Sequence, residues 1–318
     1  MESKSEKIVI TGAAGLVGQN LILRLMAKNF TEIVAIDKHP TNVRVLEKYH
    51  PTIRVLHRDL AESGGNGANG WETELAGCRA LVIAHAQIGG VETKEFVRNN
   101  VEATERLVEA AVRHKVPYIV SISSSAVNSM AIDPYTETKK AQEALVAASG
   151  IKQVVLRPTL MFGWFDRKHI GWLARFMQRV PVFPIPGTGE FLRQPLFARD
   201  LCDIIASSMM NETTGAYNVT GQEQIDYIDL MRAVKKATGA KARIQTVPFS
   251  VFSSLLKFNA LFDKNPAFTV RQLDALATSD VFEVIDWPKI FGVRATPLQE
   301  ALDTTFRDPV YSRVALDF

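Results

Sequence analysis

Only two of the 318 residues are cysteine, Cys78 and Cys202, so no disulfide framework is available and a reducing compartment is expected. No run approaches the roughly 18 apolar residues that a membrane span needs. Neither sign of charge dominates. Against 34 Asp and Glu stand 37 Lys and Arg, interspersed, which leaves a net charge of +3 and no basic stripe suited to nucleic acid. No segment repeats at a solenoid period. The opening MESKSEK is charged and leads straight into a glycine-rich turn, unlike a secretory signal, so a cytoplasmic protein is expected. No metal is expected.

What is present reads as a globular protein, 47% apolar and 22% charged, long enough for one large domain or two ordinary ones. The first half alternates β-rich runs with helical patterns. KIVIT (7–11), EIVAID (32–37), TIRVLH (52–57), RALVIAHA (79–86), YIVSISS (118–124) and KQVVLRP (152–158) predict strands. The segments 20–29, 96–115 and 137–149 predict helices. Near-continuously apolar strands alternating with helices predict an α/β fold, a doubly wound parallel sheet covered on both faces. ESGGNGANG (62–70) predicts a flexible surface loop. After Pro158 the alternation is lost and Pro, Gly and aromatics rise. The expected division is therefore 1–158 and 159–318, with parts of the second region returning to the first.

Gly12, Gly15 and Gly18 fall between a predicted strand and a predicted helix, in ITGAAGLVGQNLILRLM. Glycine permits a sharp turn and close approach of backbone to a pyrophosphate. The helix N-terminus, at Leu16 and Val17, offers unpaired N–H groups and positive dipole character. Asp37 ends the next strand, where a carboxylate accepts ribose hydroxyls and repels a 2′-phosphate. That favours NAD over NADP, although Lys38 and Arg44 stand nearby. Asp59 and Leu60 close the third strand, within reach of an adenine. Tyr135 and Lys139 are four apart, so a helix places both on one face.

With TGAAGLVG, Asp37, Asp59-Leu60, Asn100-Val101, Ser123–Ser125 and YTETK in this order, the chain resembles the extended short-chain dehydrogenase/reductases, in the nucleotide-sugar epimerase and reductase branch. The resemblance implies a Rossmann-type NAD(P)-binding domain with a smaller C-terminal substrate-binding domain. It implies that Tyr135 is the catalytic acid/base, that Lys139 binds the nicotinamide ribose, and that Ser125 bonds the reacting oxygen. A lysine ammonium near the phenol would lower the Tyr135 pKa toward neutrality. Ser123 would lie near the nicotinamide, Asn100 would support the site from its helix, and Ala84, His85 and Ala86 would pass the cofactor. Pro158 would stand beside the nicotinamide. Phe162 would face the substrate, and Arg193, in GTGEFLRQPLFARDL, would hold a nucleotide diphosphate with its planar fork.

Two departures stand out. Ala126 and Val127 follow the serines, where dehydratases of this branch carry an Asp-Glu pair, which argues against removal of water. Ser125 and Tyr135 are ten residues apart, less than half the usual interval, which trims the wall of a sugar pocket. The expected activity is hydride transfer at C4 of a nucleotide-linked sugar, epimerisation ahead of keto-reduction. A hydroxysteroid-type or other small-alcohol dehydrogenase is a second reading, and a non-catalytic NAD-binding assembly or sensor protein is a third. The resemblance also implies a homodimer through helix 96–115 and the helix after Tyr135. The aromatic and basic stretch 161–186, with the amphipathic 250–262, allows peripheral membrane contact, although packing on the core accounts for it more simply.

Overall fold

Four hydrophobic residues in a row need cover on both sides, and β1 (Ile8–Thr11) has it: Val9 faces one core cluster while Ile8 and Ile10 face another. The computed structural model describes residues 6–62, 70–90, 92–129, 133–259 and 282–317. Most of the expected loop 62–70 and the end of the 250–262 stretch lie outside these residues. β2 (Ile33–Asp37), β3 (Arg54–His57), β4 (Ala80–Ile83), β5 (Tyr118–Ile122) and β6 (Lys152–Pro158) join β1. Further strands follow: β7 (Met161–Phe162), β8 (Val182–Pro186), β9 (Leu192–Arg193), β10 (Leu196–Phe197), β11 (Gly215–Val219), β12 (Ile225–Asp226) and β13 (Arg243–Val247). The main sheet has seven parallel strands in the order β11-β6-β5-β4-β1-β2-β3. The order reverses beside β1, where an open parallel sheet forms a crevice at its C-terminal edge.

Helices cover both faces. On one, α1 (Leu16–Ala27) and α7 (Ala198–Asn211) pack together, burying Leu21, Leu25, Ile204 and Ile205 with Ile8 and Val82. The opposite face carries Leu107, Ala110 and Val146, from α4 (Ala103–Arg113) and α5 (Pro134–Ala148). α2 (Pro40–Tyr49) follows β2. The helix predicted over 96–115 is not uniform: α3 (Thr93–Phe96) opens into a π-helical segment, Val97–Glu102, before α4. Asn99 and Asn100 are both buried in this segment. Asp133 caps α5, accepting the Tyr135 and Thr136 N–H groups at 3.0 and 3.1 Å, and Pro134 takes the first helical position.

A second core gathers Phe162, Met177, Phe183, Val234 and Leu302 from β7, α6 (His169–Met177), β8, α8 (Tyr227–Thr238) and the helix Leu298–Arg307. Short pairs β7/β10, β9/β12 and β8/β13 frame it. The chain then returns to the main sheet. Trp287 is buried in the first core, its indole N–H donating to Thr220 O at 2.8 Å. Asp317 and Asn42 exchange two hydrogen bonds at 2.7 and 3.0 Å. Within 161–186, Phe162 and Phe165 are buried, Trp172 stacks on Phe176 at 5.3 Å, and Arg175 donates to the Asp166 and Arg167 carbonyls. Among the described residues no helix is long and apolar enough to cross a membrane.

Candidate active site

The β1–α1 turn is built for close approach. Gly12 has φ +65°, and a Cβ there would lie 2.5 Å from the Cα and N of His85, at the exit of β4. Gly18 lets α1 lie against the turn, since its Cβ would meet Ala13 Cα at 2.4 Å. Gly15 stands at the N-cap with no side-chain cap and no acidic residue in the first turn, so the N–H groups around Leu16 and Val17 keep their positive end of the helix dipole. This cradle fits a dinucleotide pyrophosphate.

Asp37 braces the turn as well as facing the crevice. Its carboxylate accepts from Ala14 N–H and His39 N–H, each at 2.9 Å. Burial raises its pKa, and those N–H groups oppose the rise. Asp59 is held by Arg98 at 2.7 Å, by Lys38 at 3.5 Å and by Ala61 N–H at 2.9 Å. Burial alone would raise the Asp59 pKa, but these donors and charges hold it below the usual carboxylate range. Lys38 also donates to Asn99 Oδ1 at 2.5 Å, so this cation is committed to the crevice wall. Leu60 is buried beside it.

Tyr135 lies in the first turn of α5. Ser124 acts on its phenol to lower the pKa, and Ser124 Oγ accepts Ala126 N–H at 3.2 Å. Ser125, expected at the reacting oxygen, is buried and opens the short 3₁₀ turn Ser125–Asn128. Ser123 Oγ is buried with no hydrogen-bond partner among the described residues, and Glu143 pairs with Arg157 through two contacts of 2.9 and 2.6 Å.

The charge at Lys139 departs from expectation. This lysine is 1% exposed; it donates to Ile122 O at 2.8 Å and to Gln142 Oε1. Burial pushes its pKa down to about 7, partly opposed by Glu143. The Tyr135 phenol is not lowered: burial raises it, Ser124 opposes the rise, and Asp133 adds to it. An ammonium disfavoured by burial and held by Ile122 O and Gln142 Oε1 gives the phenol little help.

Asn100, fully buried, joins the β4 exit to α5, accepting Gln87 N–H at 2.6 Å and donating to Thr138 Oγ1 at 3.0 Å. Ala84 N–H donates to Thr11 O at 3.1 Å; His85 Nδ1 lies 2.8 Å from Thr11 Oγ1, and His85 Nε2 lies 3.0 Å from Thr104 Oγ1. Burial pushes the His85 pKa down to about 3, with the Lys139 and Lys38 charges in support, so the ring is neutral. Pro158 ends β6. Phe162 belongs to the second core, stacked on Phe197 at 5.6 Å and bordering a cavity of about 120 Å³ rather than an open cleft. Arg193 is buried, donating to Leu192 O at 2.7 Å with its guanidinium 5.9 Å from the Phe191 ring centroid. Sequence reading missed Ser124, Thr104, Gln87 and Gln142. Only Gln142 left a signal: a polar residue three positions after Lys139, on the buried face of α5.

A model of the NAD dependent epimerase/dehydratase family matches residues 8–220. The chain belongs to that family. A relative within its range is the ceramide reductase of Caulobacter vibrioides (strain NA1000 / CB15N), 21% identical over 243 residues, covering 76% of this chain and 73% of the relative. Another is the dTDP-4-keto-6-deoxy-D-glucose reductase of Streptomyces niveus, 21% identical over 309 residues, covering 93% and 99%. Among solved structures, the UDP-glucuronic acid 4-epimerase of Bacillus cereus, in complex with NAD, aligns with a TM-score of 0.72 at 20% identity, covering 95% of this chain and 97% of the other. The family and the shared fold together account for the placement of the glycine turn, Asp37 and the Tyr135–Lys139 pair at one edge of the sheet.

Proposed function

We propose that this chain is an NAD-dependent enzyme acting at C4 of a nucleotide-linked sugar, with epimerisation as the first reading. The observation that carries it is the placement of Tyr135 in the first turn of α5, one helical turn from a buried Lys139, at the sheet edge that bears the glycine turn. Gly12, Gly15 and the start of α1 would hold the pyrophosphate, Asp37 the adenosine ribose, and Lys139 the nicotinamide ribose. NAD, when bound, supplies the acceptor and donor of hydride. Tyr135 exchanges the proton of the sugar hydroxyl, Ser124 and Ser125 orient the reacting oxygen, and Arg193 would meet the diphosphate. Ala126 and Val127, in the 3₁₀ turn, supply no acid or base for removing water.

A second reading, reduction of a ketone, has its own support. Burial keeps the Tyr135 phenol protonated, which suits delivery of a proton to a forming alkoxide, and two of the similar proteins named above are reductases. Tyr135→Phe tests both readings. It should leave NAD binding within about twofold and lower turnover by about 10²–10⁴-fold, the usual contribution of a positioned acid/base. Undiminished turnover removes Tyr135 from the chemistry. Denaturing the purified protein separates the two readings: released NAD supports epimerisation, and a site that exchanges reduced cofactor supports reduction.

A further inference from the structure

A chain of hydrogen bonds runs from Lys139 into the core, and its direction can be read from one end. Thr11 Oγ1 donates to Val82 O at 3.3 Å, and a backbone carbonyl can only accept. With that hydrogen so placed, Thr11 accepts from His85 Nδ1, 2.8 Å away, and the ring hydrogen is assigned to Nδ1. His85 Nε2 is left with a lone pair and takes the Thr104 hydroxyl at 3.0 Å. Thr104 Oγ1 in turn accepts the Gln142 amide N–H at 2.8 Å. That fixes the Gln142 amide with Oε1 toward the Lys139 ammonium. Every link is donor to acceptor, with no reversal. The neutral His85 is the state this order requires, and burial, with the Lys139 and Lys38 charges in support and Asp59 opposing, keeps it neutral.

We propose that Gln142 is the positioning residue of Lys139, acting through the ordered chain Gln142–Thr104–His85–Thr11. Two of the three Lys139 donors go to Ile122 O and Gln142 Oε1, which leaves the third for a ligand. The chain ends at the residue before Gly12, and the His85 backbone is what a Gly12 Cβ would strike. The same histidine thus sets the lysine at one end of the crevice and supports the phosphate turn at the other. The proposal rests on the cofactor reading above, in which the third donor meets the nicotinamide ribose.

Binding of ADP and ADP-ribose, measured by calorimetry, tests it without any sugar substrate. ADP reaches only the phosphate turn and the first ribose; ADP-ribose adds the second. Gln142→Met keeps length and removes the acceptor. It should weaken ADP-ribose about tenfold, the worth of one charge-assisted hydrogen bond, while ADP changes less than about twofold. Gln142→Glu, which keeps an acceptor for Lys139 but loses the N–H that reaches Thr104, should recover ADP-ribose only to the level of Thr104→Val. Thr104→Val should repeat the methionine pattern at smaller size, and Thr104→Ser should reverse it. Parallel loss of both ligands in Gln142→Met, or no loss of either, overturns the proposal. Lys139→Met distinguishes the two failures. If it separates the ligands and Gln142→Met does not, the ordered chain falls alone; if neither does, the ribose role of Lys139 falls and the chain with it.

Discussion

Gly12→Ala and Gly77→Ala share a backbone problem and differ in everything else. Gly12 has φ +65° and Gly77 φ +66°, so an added Cβ costs each about 1–2 kcal/mol of left-handed strain. At Gly77 nothing lies within 4 Å of the new atom, and the strain is the whole cost. At Gly12 the Cβ would sit 2.5 Å from His85 Cα and N and 2.6 Å from Ala84 C, all main-chain atoms. Comfortable carbon contacts begin near about 3.5 Å, so the turn or the β4 exit must move by about 1 Å. Overpacking of that kind costs about 1–3 kcal/mol. Urea unfolding should therefore show Gly12→Ala less stable than Gly77→Ala by about 2 kcal/mol. ADP titration should show affinity reduced about tenfold or more in Gly12→Ala and unchanged in Gly77→Ala, since only the first displaces the phosphate turn. Stabilities within about 0.5 kcal/mol of each other would refute the claim that the turn and the β4 exit are in contact.

Acid sensitivity should trace in part to His50, which is buried at the end of α2 with neither ring nitrogen hydrogen-bonded. Burial pushes its pKa from 6.5 to about 4, so between these values the unfolded chain binds a proton that the native state refuses. Stability is then full above pH 6.5 and falls as pH drops toward 4, by about 2–3 kcal/mol from this group. His50→Leu should shrink the difference between urea midpoints at pH 7 and pH 4.5; an unchanged difference counts against the assignment. Arg157→Met should cost about 2 kcal/mol, because it leaves the half-buried Glu143 carboxylate without its two-pronged partner. Adding Glu143→Gln should recover part of that loss, and full additivity in the double-mutant cycle would show that the pair is not coupled.

Strands were legible wherever local pattern decides. KIVIT, EIVAID and KQVVLRP fall within a residue of β1, β2 and β6, because runs buried on both faces have no other stable placement. RALVIAHA was read too long: pairing stops at Ile83, since Ala84–Ala86 turn away to pass Gly12 and carry His85 toward Thr104. Helix 96–115 was read as regular because its apolar spacing is regular, and nothing in that spacing marks the wide turn in which Asn100 is buried. In the site, Gly12, Asp37, Tyr135 and Lys139 were legible because their spacing along the chain is their geometry. The direction of the Lys139 ammonium was not. It depends on Ile122 and Gln142, and through them on Thr104, His85 and Thr11, contacts made across 17 to 74 positions after the first step.

The seventh strand has a practical consequence. β11 lies against β6 although more than fifty residues, α7 among them, separate the two along the chain, and α7 and Trp287 cover the same side. A fragment ending near Pro158 would present β6 as a bare, fully parallel margin and would strip half the padding from α1. Anyone exchanging the substrate lobe with that of a cousin must therefore leave behind the stretch from Ala198 to Val219, together with the tryptophan, or expect the nucleotide lobe to clump.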